Sequence, residues 1–155
     1  MDVLDSRHMA IALREAEDAA SRGEVPVGAV IVDGGTKEIV ARASNRVELL
    51  KDPTAHAEMQ AIKKACAALG QKRLDHCDLY VTLEPCAMCA SAIAHAHIRR
   101  LYFGASDPKG GAVENGPRFF EQPTCHHKPD VYGGIHESAA AALLIDFFKK
   151  KRWPD

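Results

Sequence analysis

Two short segments carry the residue types that could do chemistry: Thr54-Ala55-His56-Ala57-Glu58 and Glu84-Pro85-Cys86-Ala87-Met88-Cys89. Imidazole and thiolate are donors that zinc prefers, and Cys86 and Cys89, spaced i and i+3, share one face of a helical turn. Three protein ligands would leave the fourth tetrahedral position open. Each segment stands at the start of an expected helix, after a polar loop or a strand end. On the side of a helix residues 56 and 58 would point apart, so His56 and Glu58 can reach one metal only from a helix tip. Pro85 suits a first helical turn, and two helix N-termini are therefore expected to converge on the ion, where their positive ends favour thiolate.

Zinc with two thiolates and a neutral imidazole has no net charge, so it should acidify water less than a three-histidine site would. A neighbouring base is then needed, and Glu58 fits. It would take a proton from water, deliver it to a ring nitrogen, and later pass a proton to departing ammonia. The competing reading is a structural zinc knuckle, which requires a fourth protein ligand. The remaining donors are scattered: Cys66 and Cys77 read as core or surface thiols, and Cys125-His126-His127 lies in an irregular stretch. With five cysteines, an odd number, and two of them as Cys-x-x-Cys, the chain reads as reduced, with metal chemistry in place of disulfides.

The elements that must position these residues follow from periodicity. Ser6 can cap a first helix with Met9, Leu13, Ala16 and Ala20 on one stripe and Gly23 at its end. Val27–Val32 and Glu38–Ala43 read as a hairpin turned at Gly34-Gly35, and Ser44–Pro53 as a polar loop. Ala57–Leu69 reads as a helix closed by Gly70, Asp78–Leu83 as a strand, Cys86 to about His95 as a helix and Arg100–Gly104 as a strand. A Gly- and Pro-rich stretch over about 106–134 precedes a last helix over about 137–151, with Ala140, Leu143, Leu144, Phe147 and Phe148 at helical spacing. Strands alternating with helices predict one α/β sheet covered on both faces, in a single domain over residues 1–155.

A length of 155 residues and 46% hydrophobic content support a core large enough for an enzyme. The formal net charge of -1 provides no global pull toward nucleic acid, so RNA binding would need a local patch; Lys149-Lys150-Lys151-Arg152 is the densest cluster of cations. No stretch approaches the roughly 18 apolar residues of a membrane span, and the first residues lack a leader's apolar region, so a cytoplasmic location is expected.

The paired segments, extended to Asp52–Glu58 and Thr82–Ala90, resemble the bacterial tRNA-specific adenosine deaminases, and the H-x-E with P-C-x-x-C pairing is the signature of zinc deaminases. The resemblance runs nearly end to end. It includes Glu24–Val30, Asn45-Arg46, Phe103–Ala105, Asp107–Lys109 and Asp146–Phe148. It implies a three-layer α/β/α cytidine deaminase-like fold with a mixed five-stranded sheet, one zinc ion per chain, a homodimer, and conversion of the wobble adenosine of a tRNA anticodon to inosine. By carry-over, Asn45 would hydrogen-bond the purine and backbone at Val27 and Ala57 would wall its pocket. Asp107 and Lys109 would lie beside the flipped nucleotide and its neighbours, and Phe148 and Arg152 would touch the anticodon stem-loop.

The segment Glu114–His127 departs from the family's pattern, which has a shorter stretch ending in an Asn-His-like pair. A changed loop on the substrate side is how the scaffold could serve a free cytosine or guanine deaminase instead. A non-catalytic zinc-containing RNA-binding module is the alternative of another class, disfavoured because Glu58 would then have no job.

Overall fold

The computed structural model describes residues 2–152. The first helix, α1 (Val3–Ser21), is capped by Asp2, whose carboxylate accepts from the Leu4 amide. The expected cap, Ser6, lies one turn inside the helix, where its hydroxyl meets His136 Nε2 at 2.8 Å. Either residue type can cap; the apolar stripe begins early enough for the upstream one to win. The buried stripe is His8, Met9, Ala12, Ala16 and Ala19, rotated slightly from the expected one. Its small residues let the helix lie close on the sheet. At Gly28 a Cβ atom would fall 1.9 Å from the Ala12 carbonyl oxygen, so only glycine admits this approach.

The strands are β1 (Gly28–Asp33), β2 (Ile39–Ser44), β3 (Cys77–Leu83), β4 (Arg100–Ala105) and β5 (Asp130–Tyr132). They form one mixed sheet in the order β2-β1-β3-β4-β5, with β1 antiparallel to both neighbours and β3, β4 and β5 parallel. β5 lies inside the stretch read as irregular; three residues amid Gly and Pro give no alternation to detect. Helix α2 (Val47–Leu50) interrupts the expected polar loop, and α3 (Ala57–Leu69), α4 (Ala87–His95) and α5 (Glu137–Arg152) complete the chain.

α3 and α4 cover one face of the sheet, where Ala29, Ile31, Leu79, Val81, Leu101 and Phe103 are buried with Ala61, Ala65, Ala90 and Ile93. On the other face Val30, Val32, Tyr80 and Tyr102 pack with Met9 and Ala12 of α1, and α5 lies beside α1. There Tyr80, Tyr102 and Tyr132, in register across β3, β4 and β5, stack at 4.4 and 5.0 Å between ring centroids. The result is a three-layer α/β/α fold. The α5 stripe is buried at Ala140 and Phe147, but Phe148 is 43% exposed, contrary to the periodicity that placed it with the core. No described helix is long and apolar enough to cross a membrane.

The topology brings four loops to one edge. Val27 precedes β1 and Asn45 follows β2, and because β1 runs against β3 these positions meet the carboxyl ends of β3 and β4, where Glu84–Cys86 and Asp107 follow. A crevice outside strand carboxyl ends is the place where α/β sheets bind ligands.

Candidate metal centre and cavity

His56 is the residue before the first turn of α3, and Cys86 holds the same position in α4. Residues there have extended backbone and ordinarily turn a polar side chain back onto the helix amides. Neither does so here. At α3 the duty passes to Asn45, whose side-chain oxygen accepts from the Ala57 amide at 2.8 Å, and His56 is thereby released to face α4. Pro85, expected in the first turn, lies outside it, because Cys86 is the cap and α4 begins at Ala87; the Pro85 carbonyl accepts from the Ala112 amide. Both helix tips converge as expected.

His56 Nδ1 lies 3.7 Å from Cys86 Sγ and 3.6 Å from Cys89 Sγ, and all three donor atoms fall within 4.8 Å of one another. Zinc bonds of about 2.0 Å to nitrogen and 2.3 Å to sulfur at tetrahedral angles require a nitrogen–sulfur separation of about 3.6 Å. The nitrogen–sulfur separations therefore fit zinc, and no other such group of three occurs among the described residues. The Cys86 thiol is pulled down to about 4, chiefly by its hydrogen bond with Cys89 and further by His56, while Cys89 is pushed up by that same bond and by burial.

Glu58, in the first turn of α3, is buried, and burial pushes its carboxyl up to about 7. It nonetheless borders a cavity of about 320 Å³ with His56 and Cys86. Small-molecule sites begin near this size. Val27, Asn45, Asp107 and Lys151 are among the other lining residues. Ala57 stands behind this wall, joined to Asn45, while Lys109 is exposed outside it. Phe148 borders an adjoining hollow with Leu83, Asp107 and Leu144. The side chain of Arg152 lies outside the described residues.

Two acidic residues at the site were not singled out by sequence. Glu24 is buried and caps α2 by accepting from the Glu48 and Leu49 amides at 3.1 and 2.9 Å. Glu84 is buried at the end of β3 and collects donors from residues 106–115. Burial pushes its carboxyl up, but the surrounding amides outweigh this and hold it below the ordinary carboxylate range. The signal available was a glutamate ending an apolar strand just before proline, a place where a charge is buried and must find partners. The departing segment also differs from expectation. Among residues 116–127 none borders the cavity; Phe119, Cys125 and His126 instead line a hollow with Ala94, His95 and His97 at the end of α4.

A helix-tip donor set open on a cavity, carried by a mixed five-stranded sheet, makes a zinc-compatible centre with room for a small substrate group, and comparison with known proteins assigns it to the zinc-binding deaminases. The family model for the cytidine and deoxycytidylate deaminase zinc-binding region matches residues 3–105. The tRNA-specific adenosine deaminase of Agrobacterium fabrum is 60% identical over 147 residues, covering 95% of both chains. That of Rickettsia bellii is 50% identical over 141 residues, covering 91% of this chain and 97% of the relative. A solved structure of a tRNA:A34 deaminase, studied for A-to-I editing at the wobble position, superposes with a TM-score of 0.87 at 60% identity, covering 89% of this chain and 99% of that one. The chain belongs to the family of tRNA-specific adenosine deaminases.

Proposed function

We propose that this protein deaminates adenosine to inosine at the wobble position of tRNA anticodons, with one zinc ion per chain on His56, Cys86 and Cys89. It acts as a homodimer in the cytoplasm, and residues 1–155 form a single deaminase domain. The observation that carries this reading is a buried carboxylate, Glu58, opening on the same cavity as the zinc-fitting donor set. When bound, zinc supplies Lewis acidity that makes water nucleophilic near neutral pH.

Glu58 moves the protons. Burial raises its carboxyl toward the range in which a group can both take and give a proton. It accepts one from water as oxygen bonds to C6 of adenine, and hands that proton to ring nitrogen N1. As the new hydroxyl becomes a carbonyl, its proton passes through Glu58 to the amino group, the C6–N bond breaks and ammonia leaves. Asn45 has spent its oxygen on Ala57, so it offers the purine its amide hydrogens. Val27 confines the base, and the Ala57 backbone supports the wall from behind through Asn45. Asp107 and Lys109 meet the flipped nucleotide and its neighbours, and Phe148 and Arg152 meet the anticodon loop.

Lys151 at the cavity rim begins a path toward phosphate that a free base would not use. The test is inosine formation on an anticodon stem-loop beside turnover of free adenine, cytosine and guanine, with stem-loop affinity titrated across a salt series. Wild type should act on the stem-loop alone. Replacing Lys149, Lys150, Lys151 and Arg152 by Ala should keep zinc content while weakening binding and flattening the log–log salt slope by up to about 3. Faster turnover of a free base would make the protein a free-base deaminase; binding without turnover would make it a non-catalytic RNA-binding module.

A further inference from the structure

The geometry points to Glu84 as a positioning residue: we infer that its carboxylate holds the cavity wall bearing Asp107 and Gly110 in register with the ligand-bearing turn at Pro85-Cys86. This rests on the deaminase reading for what it says about substrate, and on the structure alone for the clamp. Glu84 is 2% exposed, and among the described residues no cation pairs with it. A buried carboxylate in that situation survives only if hydrogen-bond donors replace water around it.

Six donors surround it. One oxygen accepts from the Asp107 amide at 2.9 Å, Asn115 Nδ2 at 2.7 Å and the Ser106 hydroxyl at 3.3 Å. The other accepts from the amides of Val113, Glu114 and Asn115 at 3.0, 3.0 and 3.1 Å. The loop passes so near that a Cβ atom on Gly111 would lie 2.4 Å from the carboxylate carbon. The same turn is tied by backbone on both sides: the Glu84 amide donates to Ala105, and the Ala112 amide to Pro85. From there the order passes outward. Asp107, fixed through its amide, accepts from the amides of Lys109 and Gly110 at 3.2 and 3.0 Å, and Asp107 and Gly110 border the cavity with His56, Glu58 and Cys86. The carboxylate touches no donor atom of the metal set in this network, so its effect falls on the substrate's side of the cavity.

Glu84→Gln isolates the claim, because it keeps the shape and turns one acceptor into a donor facing three others. Asn115→Ala removes one strut and is the milder variant should Glu84→Gln fail to fold. Three readouts are taken on the full chain purified with zinc: metal content, amide hydrogen exchange over residues 106–115, and steady-state kinetics on the stem-loop. The expected result is zinc content as in wild type, faster exchange at 106–115, and KM raised about tenfold in Glu84→Gln with kcat within about threefold. Asn115→Ala should shift exchange and KM in the same direction by less. Unchanged exchange, loss of zinc from Asn115→Ala, or a fall in kcat at constant KM would overturn the inference. A wild type inactive on the stem-loop would defeat the proposed function, while exchange and zinc content would still decide the clamp.

Discussion

The metal cradle and the wall facing it reach the same sheet edge by different means. At the cradle, His56 and Cys86 precede two helices and Glu58 and Cys89 stand in their first turns, so the geometry follows from where α3 and α4 begin. The wall at Asp107 has neither helix nor ladder and hangs from a carboxylate 22 to 31 residues away in the chain. A site built on helix starts is written in local spacing. One suspended from a distant side chain is written only in the folded molecule. The cradle should therefore respond to mutation by losing chemistry, and the wall by losing substrate affinity.

The harshest way to sharpen this contrast is Glu58→Ala, expected to lower turnover by about 10³-fold or more while zinc content stays at wild type. Parallel metal analysis and rate measurement check it. Zinc lost together with activity would make Glu58 part of the cradle's framework.

Asn45 belongs to both regions, and two substitutions separate its duties. Asn45→Ala leaves the buried Ala57 amide without its acceptor, which should cost about 1–3 kcal/mol of stability, and should lower kcat/KM about 10- to 100-fold. Asn45→Asp keeps an acceptor for that amide and removes the hydrogens proposed to meet the purine. Denaturation should find the stability largely restored, and kinetics should find turnover still depressed. Recovery of both together would confine Asn45 to the helix.

The smallest effect on activity is expected in the far part of the long loop. His127 Nε2 donates to the Ile98 carbonyl at 2.7 Å, and none of residues 116–127 borders the cavity. His127→Ala should cost about 1 kcal/mol in a denaturation experiment and leave kcat/KM within about twofold. A larger kinetic loss would extend the wall beyond residue 115.

Legibility in the sequence follows the same division. α3 and α4 could be placed because Gly70 closes one and each begins at a chemical motif, and the donor set followed from that placement. The strands β1, β3 and β4 were visible as apolar runs. By contrast, α2 is four residues long and is capped by Glu24 from 24 residues upstream, a partnership that no local window contains. β5 is three residues long. Phe148 continues a helical stripe in sequence, but it is exposed at the rim of a hollow beside Leu83 and Ala105 while its neighbour Phe147 takes the buried place. Glu84 read as a strand boundary, since its six donors all come from the far side of β4.

The placement of the donors around β3 also has a kinetic consequence. His56 comes before that strand and the two thiols after it, and β3 sits between β1 and β4. A zinc ion on the proposed set could be gripped fully only once β3 is seated and α3 and α4 lie together on one face. A refolding chain with either half alone offers it one imidazole or one pair of thiols. Zinc held by the proposed set would therefore tie the two halves together, and separating them would require giving up the ion, which would slow unfolding.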